Sequence, residues 1–102
     1  MLADRIERAT TVLSRLRGLL GRDHLPEGSA LVIEPCTSIH TLFMRFAIDA
    51  VFLDRGGRVV RAIGSMRPWR MTRVYPSAAL VVELPAGTLA RFGVREGDTL
   101  TF

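Results

Sequence analysis

The stretch from Ala47 to Gly64, AIDAVFLDRGGRVVRAIG, decides the fold. Two runs rich in valine and isoleucine flank DRGG, whose aspartate and glycines are turn residues, so the segment predicts a β-hairpin. In its first strand Ile48, Ala50 and Phe52 share one face, while Asp49, Val51 and Leu53 share the other. Both faces are apolar enough to be buried, the pattern of a strand covered on two sides. Asp49 then requires a partner, because a buried carboxylate must be protonated, paired or multiply hydrogen-bonded.

Outward from the hairpin, ALVIEP (30–35) and ALVVELP (79–85) are short, β-branched runs closed by proline. They predict strands at 31–34 and 79–84. AGTLARFG (86–93) predicts a one- to two-turn helix near 87–92 ended by Gly93, and REGDTLTF (95–102) a turn followed by a closing strand at 98–102. Residues 64–78, with two prolines and no clean periodicity, predict a long ordered loop. In the first twenty residues Leu2, Ile6, Ala9, Leu13, Leu16 and Leu20 form one helical face, expected to pack on the core although its basic opposite face would also suit a membrane surface. A shorter helix at 11–20, after an extended segment, with Thr10 or Thr11 as N-cap and Gly21 at its end, fits equally. Strands outnumber helices. The expected fold is mainly β, a small barrel-like or sandwich domain with a short N-terminal helix.

The 102 residues suffice for one domain with its own core. Every one of the fourteen basic residues is arginine, and the net charge of +4 favours anionic ligands. So small an excess is a poor basis for nucleic-acid binding, and none is expected. A single cysteine excludes an internal disulfide, and Cys36, His24 and His40 are too few soft donors for a closed zinc site. Neither a metal nor a cofactor is expected. The chain has no apolar run of the ~20 residues a membrane span needs, and its start, MLADRIER, lacks a signal-peptide pattern, so a cytoplasmic protein is expected.

Three constellations carry chemistry. Cys36 and His40 stand four apart, on one face in a helix or a strand, where an imidazole can activate a thiol as a nucleophile. The plain alternative is a buried cysteine and a wall histidine. Asp49 and Glu83 both interrupt apolar strands, with Arg45, Arg70 and Arg73 as candidate counterions. Either carboxyl can be a structural ion pair or an acid–base group. Arg67, Arg70 and Arg73 recur every third residue beside Trp69 and Tyr75, a spacing that can cradle a phosphate or carboxylate, or stack single-stranded bases. A solvated loop whose Trp69 plugs the core explains the same residues.

RLRGLLGR (15–22), PCTSIHTLFMRFAIDAVFLD (35–54), VVELPAG (81–87) and FGVREGD (92–98), in this order, resemble the domain of unknown function 192 family over roughly residues 10 to 102. The resemblance implies a small, mainly β, barrel-like fold with a short helix after the first segment, spread through bacteria and archaea, and no established activity. Members resemble one another at the positions held here by Gly18, Leu19, Met44, Asp49, Glu83 and Gly87, whereas the CTSIH form belongs to part of the family. Cys36 and His40 therefore cannot serve a function common to all members. Many relatives carry an export leader, which is not expected here.

The leading expectation is a small-ligand or peptide-binding domain whose cleft lies between residues 36–46 and the arginine loop. His40, Met44, Arg45, Trp69 and Arg70 would line it, and Arg45 or Arg70 would hold an anionic group. The alternatives are a thiol hydrolase, with Cys36 as nucleophile, His40 as base and Asp49 or Glu83 in support, and a basic module that docks on an acidic protein. Oligomeric state is left open.

Overall fold

The hairpin forms where its pattern places it. In the computed structural model, which describes residues 3, 5–9, 25–42 and 44–100, the strands are β1 (Arg5–Ala9), β2 (Ser29–Ile33), β3 (Ile48–Leu53), β4 (Val59–Met66) and β5 (Leu80–Pro85), followed by the short helix α1 (Thr88–Phe92). At the β3–β4 turn Asp54 Oδ1 accepts the N–H groups of Gly56 and Arg58, both at 2.9 Å. Gly57 takes φ 81°, and a Cβ there would press on the Leu100 carbonyl, so only glycine fits without strain.

The sheet order is β1-β2-β5-β3-β4, with β5 antiparallel to both β2 and β3. All six residues of β3 are buried, as its two apolar faces require. One face carries Leu31, Ile33, Ile48, Ala50, Phe52 and Val81 into a cluster covered by Cys36, Ile39 and Met44 from the following loop. The other carries Val32, Val51, Leu53, Val82 and Leu84 against Leu89 of α1. Full burial of each large aliphatic or aromatic side chain contributes about 1.5–3 kcal/mol. Phe52 gains further from the tilted Tyr75 ring, 4.8 Å away between centroids.

Two expectations are corrected, and at the N-terminus one of two alternatives is found. Among the described residues the sheet is not closed into a barrel: β1 and β4 are its edges. Among the described residues 98–100 of the expected closing strand there is one bridge, Arg58 with Thr99, because a turn consumes residues 95–98. In that turn Asp98 Oδ2 accepts the Arg95 N–H at 2.8 Å and Gly97 takes φ 90°; residues 101 and 102 lie outside the described part. At the N-terminus, residues 5–9 are a strand parallel to β2, with Arg5 opposite Ser29, which agrees with the extended segment and not with a helix beginning at the first residues. Pairing there satisfies the outer N–H and C=O groups of β2, which a helix would leave open. The helix expected at 11–20 falls on residues outside the described part.

Candidate functional site

Asp49 is fully buried, and among the described residues its carboxylate is held by backbone N–H groups. Its Oδ1 accepts the N–H of Ser65 at 2.7 Å and of Gly87 at 3.2 Å, and its Oδ2 accepts the N–H of Leu89 at 2.8 Å. A bulge makes the first of these: the β3–β4 register slips between Ile48 and Ala50, and Ser65 takes φ 50°, which turns its N–H inward. The other two donors come from the start of α1, where Gly87 takes φ 93° and backbone N–H groups have no partner within the helix. Where guanidinium partners were expected, the described residues supply three peptide N–H groups.

Glu83 lies on the opposite face of the sheet. Its register partners are Leu31 on β2 and Ala50 on β3, both in the cluster beneath the loops, whereas Asp49 pairs with Leu84. The two carboxyls therefore cannot act as a pair. Glu83 is 4 % exposed, and burial, which disfavours the charged form, lifts its pKa to about 7. Such a carboxyl can take or give a proton near neutral pH. Desolvation by the surrounding aliphatic side chains explains the shift without any catalytic role.

Residues 36–46 and the arginine loop do meet, and a residue the sequence reading passed over joins them. Thr41 is fully buried; its Oγ1 donates to the Arg67 carbonyl at 2.6 Å and accepts the Arg70 N–H at 2.9 Å. Its backbone N–H donates to the Arg70 carbonyl at 2.7 Å, and its carbonyl accepts the Trp69 N–H at 2.9 Å. Further along, the Thr72 N–H donates to the Ile39 carbonyl at 2.9 Å and the Tyr75 N–H to the Thr37 carbonyl at 2.8 Å. A hydroxyl leading the apolar run LFM (42–44) was the available signal, since a buried threonine needs partners. The two segments form one ledge over the Glu83 face.

The predicted residues divide across this ledge. His40 is exposed and bridges to Met71; its Nδ1 accepts the Leu42 N–H at 3.3 Å. Cys36 is buried and donates its S–H to the Ser38 carbonyl at 3.0 Å. Met44 belongs to the core, while Arg45 and Arg70 are exposed. Trp69 does not plug the core: it is 55 % exposed, at φ 64°. That left-handed backbone follows from the turn through which its N–H reaches Thr41. Met71 and Val74 are also exposed, at 71 % and 60 %. Between Asp54 and Glu83 the sequence holds no acidic residue, so nothing on the arginine loop offsets Arg67, Arg70 and Arg73. No group of three or more metal-ligating side chains occurs among the described residues.

Fold and ledge together define a mainly β domain with an open sheet and a cationic, partly apolar surface on one side. The chain belongs to the DUF192 family, described as Uncharacterized ACR, which it matches over residues 2–102. It is 30 % identical over 102 residues to a UPF0127 protein of Thermococcus kodakarensis, covering 96 % of this chain and 64 % of that protein. To a UPF0127 protein of Thermococcus gammatolerans it is 33 % identical over 101 residues, covering 95 % and 65 %. The chain thus spans a little under two thirds of these relatives. Among solved structures, a protein of unknown function from Novosphingobium aromaticivorans superposes with a TM-score of 0.85 at 20 % identity, over 95 % of this chain and 74 % of that one. A candidate transcription regulator from Sinorhizobium meliloti gives 0.82 at 24 % identity, over 94 % and 79 %. At such identities the likeness is one of fold.

Proposed function

We propose that this protein is a binding module for a small anionic ligand or an acidic peptide, received on the ledge between residues 36–46 and the arginine loop. One observation carries the reading: exposed Arg70 stands between exposed Trp69 and Met71, on a backbone pinned by buried Thr41 and free of nearby acidic residues in sequence. A guanidinium grips a carboxylate or phosphate through two parallel N–H donors, and an indole beside it offers an apolar platform. Because the ledge is already hydrogen-bonded into shape, binding costs little ordering entropy. His40, across the bridge from Met71, adds a polar group at the rim.

A thiol hydrolase draws no comparable support, since the buried Cys36 directs its S–H at the Ser38 carbonyl while His40 is exposed. Trp69 is the only tryptophan, so its fluorescence reports on the ledge alone. Titration with inorganic phosphate, citrate and an oligoglutamate peptide should shift its emission saturably for at least one of them. Arg70→Ala should weaken that binding by about 10- to 100-fold, the worth of a charge-assisted hydrogen-bond pair. Unchanged affinity in the variant would remove Arg70 as the clamp.

A further inference from the structure

The ledge offers more than an anion site. A soluble phosphate or carboxylate would engage the arginines and leave Trp69, Met71 and Val74 in water, although these are among the few large apolar side chains the described residues expose. They alternate along the loop with Arg67, Arg70 and Arg73, all exposed. From Arg55 to Val82 the sequence has six arginines and no acid, so this part of the chain meets a negative surface without a repelling side chain. Trp69 is held outward at a positive φ that non-glycine residues rarely adopt, and its N–H and that of Arg70 are both tied to Thr41. The same turn that ties these N–H groups to Thr41 therefore fixes the position of the half-exposed indole between the arginines.

We propose that this loop docks on an anionic lipid bilayer, with Trp69, Met71 and Val74 entering the headgroup region and Arg67, Arg70 and Arg73 pairing with lipid phosphates. The inference rests on the anion-binding reading and names the source of the anion. A bilayer accepts both halves of the surface at once: tryptophan favours the boundary between headgroups and acyl chains, and arginines are drawn to the negative potential of anionic leaflets. No groove is needed, because the receiving surface is flat and fluid. An acidic peptide would have to supply matched apolar and charged groups along one short loop.

The test uses the whole chain with vesicles of phosphatidylcholine alone and of phosphatidylcholine with about one-third phosphatidylglycerol. Co-sedimentation should rise at least about tenfold on the anionic vesicles, the Trp69 emission should shift to the blue on binding, and ~0.5 M salt should reverse it. Arg67→Gln/Arg70→Gln/Arg73→Gln should abolish the binding, and Trp69→Ser/Met71→Ser should weaken it. Both variants replace only exposed side chains, and their circular dichroism should match the parent's. Glycerol 3-phosphate, the free headgroup, is titrated in parallel. If it shifts the Trp69 emission while neither vesicle binds, the bilayer is excluded and the anion site stands; if neither probe acts, both readings fail. Equal binding to the two vesicles, or binding with unchanged Trp69 emission, would also overturn the docking surface proposed.

Discussion

The Asp49 carboxylate accepts the Leu89 N–H at 2.8 Å, which joins β3 to the start of α1 across forty residues of sequence. The same group holds Ser65 on β4 and Gly87 before the helix, so one side chain ties three elements together. Asp49→Ala would leave these buried donors without an acceptor, at about 1–3 kcal/mol each. The expected loss of about 3–5 kcal/mol is a large part of a domain's whole stability. Asp49→Asn keeps one acceptor oxygen but turns an amide donor towards a peptide N–H, and should lose about half as much. Urea midpoints of the three proteins would show this order; equal stability of Asp49→Ala and the parent would refute the account.

Glu83 makes stability depend on pH in the opposite sense from an ion-paired acid. Its pKa is near 4.5 in the unfolded chain and about 7 in the fold, so between these values the folded state holds the proton that the unfolded state has released. Stability is therefore greatest below about pH 4.5 as far as this group is concerned, and falls as pH rises through 7. The contribution lost is about 3 kcal/mol. Glu83→Gln, neutral and of the same size, should match the parent at about pH 4 and exceed it at about pH 8, as read from thermal unfolding on both sides of the window. Parallel pH profiles for the two proteins would mean that the carboxyl is not desolvated.

Thr41 should matter to the ledge more than to the sheet. Thr41→Val keeps the shape but removes the hydroxyl, leaving the Arg70 N–H without its acceptor and weakening the hold on the Arg67 carbonyl. About 2–3 kcal/mol should be lost locally. Amide exchange should then accelerate at Trp69 and Arg70 while the β3 and β5 amides stay protected. Acceleration spread evenly over the sheet would show that the hydroxyl supports the whole fold instead.

The residues explain which parts of this were legible beforehand. The central hairpin could be read because alternation, β-branched runs and DRGG all point the same way, and the two faces of β3 follow from parity alone. The partners of Asp49 could not, since backbone N–H groups carry no residue identity and two of the three lie 38 and 40 positions away. Trp69 misled for a related reason. An indole is usually core material, and nothing in a sequence announces a positive φ at a tryptophan. The N-terminal stripe at Leu2, Ile6 and Ala9 has helical spacing, yet residues 5–9 pair with β2 because the sheet edge offers hydrogen bonds that local periodicity does not encode.

Cys36 gives the sharpest separation between a binding protein and a thiol enzyme. Its sulfur is buried in the loop-covered cluster and its S–H is directed at the Ser38 carbonyl, so an alkylating reagent reaches it only when the ledge opens. Iodoacetamide should label the native protein at least about tenfold more slowly than the urea-unfolded chain, because local opening is a minor population of the native state. Thr41→Val, by loosening the loop above it, should speed the native reaction without changing the unfolded rate. Labelling of the parent as fast as the unfolded chain, together with sensitivity to His40→Ala, would place an accessible, imidazole-activated thiol at the surface and return the enzyme reading to first place.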